Sequence, residues 1–171
     1  MMQPHIKRKG RTFKSRSWLV LWLPALLLMA SASLAGTCSE HSKGQTVYVP
    51  VYSHIYSGDR EQHIYLSVTL SVRNTDPKHA ITIFRVDYYD SNGQLTKDYL
   101  KTPITLNPLA TTRYVIKESD KVGGSGANFI VVWKADRAVV PPLIETVMIS
   151  TRYTLGISFT SRGRVIGPAA P

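Results

Sequence analysis

The feature that most constrains this chain is a strict alternation of apolar and polar residues over positions 63–73. Apolar side chains occupy every second position from Ile64 to Val72, and hydroxyl-bearing residues lie between them. Because successive side chains of a strand point to opposite faces, this pattern predicts a β-strand with one buried face. Residues 81–89 predict a second long strand, and the Asp90-Ser91-Asn92-Gly93 sequence predicts a tight turn after it.

Shorter strand signals continue along the chain. They lie at residues 47–52, 95–100, 111–117, 128–135 and 143–150, and residues 156–166 predict a terminal hairpin around Ser161-Arg162-Gly163. No window after residue 36 has a sustained helical period with caps. We therefore predict an all-β protein, an immunoglobulin-like β-sandwich of about seven or eight strands, with a small β-barrel as the alternative.

The first 35 residues have the order of a bacterial export signal. Six basic residues and no acidic residue precede position 36, an apolar run covers 18–30, and small residues follow it. This order predicts a signal peptide over 1–35 and an exported protein of the periplasm or cell envelope. The remaining divisions are a flexible tether over 36–44, a single domain over 45–166 and a disordered tail over 167–171.

The cysteine Cys38 leaves three outcomes open for the N-terminus. It is the one cysteine in the chain, and the preceding Leu34-Ala35-Gly36-Thr37 is similar to a lipobox, which makes Cys38 a candidate lipidation site. Cleavage after Ala35 would instead give a soluble exported protein. The stretch 17–39 is uncharged and long enough to remain as an uncleaved anchor. Any contact with a membrane would come through this segment.

The charge distribution argues against a nucleic-acid partner. The formal net charge is +10, but after residue 35 there are fifteen basic and eleven acidic residues. They form no basic stripe and no basic helix, which nucleic-acid binding would require.

The motifs that carry chemistry are incomplete. The Gly123–Gly126 loop is not followed by the Lys-Ser/Thr of a phosphate-binding loop, and a nucleophile elbow needs a later histidine, whereas the last one is His79. The histidines lack the spacing of metal ligands. We predict no catalytic, metal or cofactor site and a non-enzymatic binding or structural module. The alternative is an enzyme that acts on envelope polysaccharide through carboxylates among Asp59, Asp120, Asp136 and Glu145.

Tyrosines form the candidate binding surface, because a tyrosine offers an apolar ring and a hydrogen-bonding tip. The candidates cluster early in the domain, and two arginines of the last strand region could hold an anion. These residues are Tyr48, Tyr52, Tyr56, Tyr65, Arg162 and Arg164. The partner that such a surface predicts is an envelope protein or a glycan.

Five longer strings carry a family resemblance: YVPVYSHIYSG (48–58), LSVRNTDP (70–77), DYYDSNG (87–93), GGSGANFIVVW (123–133) and GISFTSRGRVI (156–166). Together they resemble the bacterial domain-of-unknown-function family 3124 over residues 45–166. The resemblance implies a small exported or lipoprotein-type protein. It implies no activity and no catalytic residues.

Overall fold

A computed structural model describes residues 40–151 and 156–169, so Cys38 and the predicted signal peptide lie outside the described residues. The regular secondary structure of the described residues consists of strands, and these residues form no helix that could cross a membrane. The strands, in chain order, are β1 (Ser42–Pro50), β2 (His54–Ser57), β3 (Gln62–Tyr65), β4 (Ser67–Arg73), β5 (Ile81–Tyr89), β6 (Leu95–Asp98), β7 (Ile104–Leu106), β8 (Thr111–Ile116), β9 (Asn128–Val139), β10 (Leu143–Ser150), β11 (Ile157–Arg162) and β12 (Arg164–Pro168).

These strands form two antiparallel sheets and a separate hairpin. The first sheet has the order β12–β1–β9–β5–β6, with β7 also paired to β5, and the second has the order β11–β10–β4–β8. Strands β2 and β3 pair only with each other among the described residues. The prediction of an all-β sandwich is confirmed. The described strands number twelve rather than seven or eight, partly because short strands such as β2 and β7 have no strong sequence pattern.

The core lies between the two sheets and is built from the alternating residues of each strand. Val68, Leu70 and Val72 of β4 are fully buried, as the alternation predicts, and they share the core with Phe129 and Trp133 of β9. Each such side chain contributes about 1.5–3 kcal/mol relative to an exposed position. The alternating run of 63–73 is nevertheless two strands, because the N–H of Leu66 leaves the ladder and donates to the Ser53 carbonyl.

The prediction of a terminal hairpin over 156–166 is wrong. Strand β11 pairs with β10 in the second sheet, and β12 pairs with β1 in the first, so the chain passes from one sheet to the other at Gly163. The Gly163 N–H donates to the Ile144 carbonyl at 2.8 Å. A Cβ on Gly163 would lie 2.6 Å from a methyl carbon of Val47. A glycine is therefore needed here because two chain segments approach closely, and not because the chain turns.

The folded domain includes more residues at its N-terminal and C-terminal ends than the sequence predicts. Strand β1 begins at Ser42, inside the predicted tether, because Ser42 pairs with Val139 of β9. Strand β12 extends through Pro168, whose carbonyl accepts a hydrogen bond from the Thr46 hydroxyl at 2.8 Å. The predicted tail thus overlaps β12, and its residues 170 and 171 lie outside the described residues.

A group of buried polar contacts, the polar knot, holds the turn between β4 and β5. The Asn74 side-chain amide donates to the carbonyls of His79, Leu106 and Asn107 at 2.8, 3.2 and 3.0 Å. The Asp76 carboxylate accepts the backbone N–H groups of Lys78, His79 and Val140. Hydrogen bonding from the Lys78 N–H, with those of Val140 and His79, lowers the pKa of Asp76 to about 2. The knot joins three turns at one end of the sandwich.

Candidate functional site

The other end of the sandwich, the loop end, consists of the β2–β3 hairpin, the turn at 90–94 and the glycine-rich loop at 117–127. Strand β5 runs from the polar knot to this end, and its last residue, Tyr89, pairs with Asn128 at the start of β9. Asn128 in turn pairs with Pro50 at the end of β1. Three strand termini therefore meet here, and their connecting segments lie side by side.

Two serines fix the glycine-rich loop in place. The Ser91 hydroxyl donates to the Gly123 carbonyl and accepts the Gly126 N–H, both at 2.9 Å. The N–H and the hydroxyl of Ser53 both donate to the Gly124 carbonyl at 3.0 Å. Gly124 has a φ of +81°, a conformation that favours glycine. The loop is thus tied to both the 90–94 turn and the base of the hairpin.

A buried tyrosine lies beneath this loop. Tyr88 is fully buried, and its hydroxyl has no hydrogen-bond partner within the described part of the chain. A Cβ at Gly123 would overlap the Tyr88 hydroxyl, so the loop can cover the ring only with glycine at this position. Burial raises the pKa of Tyr88, which keeps the phenol neutral.

Four aromatic side chains of the hairpin form the His–Tyr cluster: His54, Tyr56, His63 and Tyr65. His54 pairs with Tyr65 and Tyr56 pairs with His63 across the two strands. Because alternate residues of a strand share a face, all four rings lie on one side of the hairpin. Ile55, between the two β2 members, packs against the hydrophobic core from the other side. The hairpin is therefore held by the core through one face and presents rings on the other.

The rings of the cluster are in mutual contact. The imidazoles of His54 and His63 are stacked, with centroids 4.2 Å apart and planes 22° apart. Tyr56 meets each imidazole edge-on at a centroid distance of 5.2 Å. Tyr65 lies edge-on to both at 6.0 and 6.1 Å. These distances are within the range in which aromatic rings attract one another.

His54 is the buried member of the cluster, with 8% of its surface exposed. Its Nε2 lies 3.3 Å from the Tyr56 hydroxyl, whereas its Nδ1 is buried and has no hydrogen-bond partner among the described residues. Burial lowers the pKa of His54, and the neighbouring His63 lowers it further. His54 is therefore held in its neutral form.

The glycine-rich loop borders the cluster on its exposed side. The Tyr56 side chain is about half exposed, at 51%, and its hydroxyl lies 3.5 Å from Ser125 Oγ. The ammonium group of Lys121 lies 4.8 Å from the centroid of the Tyr65 ring. Tyr56 and His63 thus form an open aromatic surface with a serine hydroxyl at its border.

The contacts from His54 through Tyr56 to Ser125 differ from a hydrolytic triad. A triad needs a base in direct contact with the nucleophile and a carboxylate that orients the base. Here a tyrosine separates Ser125 from His54, and Nδ1 of His54 lacks an orienting partner within the described residues. The described residues also contain no group of three His, Cys, Asp or Glu side chains that could hold a metal ion.

The structure divides the tyrosines that the sequence singles out. Tyr56 and Tyr65 lie in the His–Tyr cluster. Tyr52 packs edge-on against Phe159 of β11, with centroids 5.8 Å apart. Tyr48 lies in the first sheet, where it pairs with Ile130 of β9 and Arg164 of β12. Two of the four candidates therefore share a surface, and Tyr48 and Tyr52 lie on other parts of the sandwich.

The two candidate arginines lie in different sheets on either side of Gly163. Arg164 is exposed in β12. Arg162 is exposed in β11, pairs with Glu145 of β10, and lines a groove of about 270 Å³ together with Glu40 and Pro142. Neither arginine belongs to the segments that form the loop end.

The four carboxylates of the enzyme alternative occupy four separate segments. Asp59 lies in the β2–β3 turn and Asp120 in the glycine-rich loop, whereas Asp136 belongs to β9 and Glu145 to β10. Glu145 Oε1 lies 3.9 Å from Arg73 Nε in an ion pair.

His54 and His63 were not among the residues that the sequence predicts for a site. The available signal was the spacing His54-x-Tyr56 and His63-x-Tyr65 on either side of a turn that contains Gly58. Such spacing places the four rings on one face only if the two segments pair as a hairpin in this register. Nothing in the local pattern specified that pairing, because the second histidine also begins the longer alternating run of 63–73.

Comparisons with known proteins give the following. A family model described as "Protein of unknown function (DUF3124)" matches residues 44–166. No curated protein matches the chain. The crystal structure of Thermotoga maritima 1070 is similar with a TM-score of 0.45 and 9% sequence identity, over 72% of this chain and 96% of that chain.

Proposed function

The chain belongs to the DUF3124 family of proteins of unknown function, and we propose that its domain is a non-enzymatic glycan-binding module of the bacterial cell envelope. The glycan binds at the loop end, on the exposed side of the His–Tyr cluster. Export is supported by the basic and apolar order of the first 35 residues, which is typical of a signal peptide. Attachment at Cys38 by a lipid, an uncleaved anchor and free secretion are all compatible with this function.

The observation that carries the proposal is the half-exposed ring of Tyr56 beside His63, bordered by the Ser125 hydroxyl. A sugar ring has an apolar face of C–H groups and an equator of hydroxyl groups. An exposed aromatic ring can pack on the apolar face, while the phenol, imidazole and serine groups hydrogen-bond the hydroxyls. The surface offers both kinds of contact within one hairpin and one loop.

The charge of the loop end favours a neutral or weakly charged glycan. Segments 54–65, 90–94 and 117–127 together hold three basic and five acidic residues. A site for a polyanionic chain would instead concentrate basic side chains, because their potential attracts the ligand. This charge balance also distinguishes the loop end from Arg162 and Arg164, which are the candidate residues for binding an anion.

The sequence of contacts from Ser125 through Tyr56 to His54 supports binding rather than catalysis. A hydrolytic serine needs a base that removes its proton. At the loop end, Ser125 meets a tyrosine, and the histidine beyond it is neutral with a lowered pKa, so it is a weak base. The groups are suited to hold hydroxyl groups and not to activate one.

The test uses the full chain in mild detergent and three insoluble or gelled probes: isolated peptidoglycan, chitin and the polyanion alginate. We expect co-sedimentation with the first or second probe and little with alginate. Tyr56→Ala should weaken binding roughly fivefold, because an aromatic contact is worth about 1 kcal/mol. The matched control is Phe84→Ala, since Phe84 is 43% exposed but lies in β5, away from the loop end.

Three outcomes would contradict the proposal. Equal losses for Tyr56→Ala and Phe84→Ala would remove the loop end as the site. Binding to an envelope fraction that survives glycan digestion and is lost on proteolysis would assign a protein partner. Release of new reducing ends from the glycan would identify an enzyme.

A further inference from the structure

The stacked imidazoles of His54 and His63 lie on the two paired strands of one hairpin. At a centroid distance of 4.2 Å, two neutral rings attract each other, but two protonated rings repel. The pair is held on adjacent strands of a hairpin that has no other strand partner among the described residues. A change in the charge of the pair therefore acts on a small, separately paired element.

Protonation of His54 is costly in this position for a second reason. Whichever nitrogen carries the proton in the neutral ring, the charged ring has N–H groups on both nitrogens. Nε2 can reach the Tyr56 hydroxyl, but Nδ1 is buried without an acceptor within the described residues. A buried N–H without a partner loses the hydrogen bond that water would give it, and burial of the charge adds to that cost.

Within the part of the chain that the structure describes, His54 has no ion pair that would compensate a positive charge. His63, Tyr56 and Tyr65 contact His54 directly. From the glycine-rich loop, Ser125 lies against Tyr56, and Lys121 lies against the ring of Tyr65. The charged residues of the β2–β3 hairpin and of the glycine-rich loop are Asp59, Arg60, Glu61, Lys117, Glu118, Asp120 and Lys121. The histidine that has an ion pair among the described residues is His79, with Asp76 at the polar knot.

We propose that the His54–His63 pair makes the loop end acid-sensitive, so that protonation opens the β2–β3 hairpin and releases the glycan. This inference rests on the proposed function for the ligand, but the opening of the hairpin does not depend on it. The open hairpin exposes the buried imidazole of His54, which can then take up a proton at its ordinary pKa of 6.5. The closed hairpin binds protons less readily, so acid favours the open form.

The pH window follows from the direction of the shift at His54. The ordinary pKa of a histidine is 6.5, and burial lowers that of His54 in the closed form. The closed form keeps its full stability above pH 6.5 and loses it progressively as the pH falls toward the lowered value. Each unit of depression corresponds to roughly a tenfold shift of the open–closed equilibrium.

Two measurements on the full chain test the inference separately from the function. The first is amide hydrogen exchange without any glycan, between about pH 8 and about pH 5, after correction for intrinsic exchange. We expect the protection of the β2 and β3 amides, and of the Leu66 N–H that bonds Ser53, to fall on acidification. Amides of β9 should keep their protection over the same interval. If the hairpin keeps its protection down to about pH 5, the inference is overturned whether or not a glycan binds.

The second measurement is peptidoglycan and chitin co-sedimentation over the same pH interval, with His54→Phe and His63→Phe beside the wild type. Phenylalanine keeps an aromatic ring in the stack and cannot be protonated. We expect wild-type binding to weaken on acidification, by at most about tenfold for each unit of depression, and the variants to show a flatter profile. His41→Gln is the control, because His41 is exposed and lies outside the cluster. A profile that is unchanged by both Phe variants contradicts the inference, whereas no binding at any pH contradicts only the proposed function.

Discussion

The polar knot and the loop end close opposite ends of the same sandwich, but they treat buried polar groups in different ways. At the knot, the Asn74 amide and the Asp76 carboxylate each have several backbone partners. At the loop end, His54 Nδ1 and the Tyr88 hydroxyl are buried without partners among the described residues. Unsatisfied buried groups lower stability and are uncommon in proteins. The difference indicates that the polar knot stabilises the fold. The loop end keeps unsatisfied polar groups that lower its local stability, as is expected of functional sites.

The largest effect that we expect is at the knot. Asn74→Ala removes the donor to three carbonyl groups and should lower the free energy of unfolding by about 2–4 kcal/mol. Urea denaturation of the full chain measures the change. Asn92→Ala is the matched control, because Asn92 is an exposed residue of the 90–94 turn, and its loss should stay below about 0.5 kcal/mol. Equal losses in the two variants would remove the distinction between the knot and an ordinary turn.

A smaller effect is expected where the glycine-rich loop covers Tyr88. Gly123→Ala introduces a methyl group that overlaps the Tyr88 hydroxyl, and it should lower the free energy of unfolding by about 1–3 kcal/mol. Tyr88→Phe removes a buried hydroxyl that has no hydrogen-bond partner among residues 40–151 and 156–169, and it should be neutral or slightly stabilising. Because the same hydroxyl is the obstacle, the double variant should recover part of the loss. Strictly additive effects in this double-mutant cycle would show that the overlap is not the cause.

The smallest of the three expected effects is a difference between the polar knot and the loop end in the pH dependence of their stability. Asp76 has a lowered pKa of about 2 against an ordinary value of 3.8, so the stability that it contributes is complete above pH 3.8 and is lost as the pH falls toward 2. His54 acts earlier, because its contribution begins to fall below pH 6.5. Site-resolved hydrogen exchange near pH 5 should therefore show reduced protection in β2 and β3 while the amides of Lys78 and Val140 keep theirs. The reverse order of opening would contradict the assignment of both ends.

Local sequence patterns predicted the strands but not how they connect. The alternation of 63–73 correctly identified Val68, Leu70 and Val72 as core residues, because the period of two is a property of each strand alone. The end of one strand and the start of another at Leu66 depends on a hydrogen bond to Ser53, thirteen residues earlier. Gly163 looked like a turn residue, although its role is set by the close approach of Val47 of β1. Both errors come from contacts that are distant in sequence.

The candidate site was predicted only in part for the same reason. Tyr56 and Tyr65 were identified by residue type, and their separation from Tyr48 and Tyr52 depends on a hairpin that stands apart from both sheets. The pairing of His54 with Tyr65 and of His63 with Tyr56 is a matter of register, which hydrophobic pattern does not fix in a short polar hairpin.

The central claim, that the His–Tyr cluster is the glycan-binding surface, is tested most directly by one affinity ratio. The full chain and the Tyr56→Ala/His63→Ala double variant are compared by co-sedimentation with peptidoglycan and chitin at about pH 7.5, where the lowered pKa keeps His54 neutral. The unfolding free energy of each protein is measured beside it. We expect binding to fall roughly tenfold or more, with urea denaturation still showing a cooperative fold. Unchanged binding in the double variant, together with a loss in Phe84→Ala, would contradict the claim.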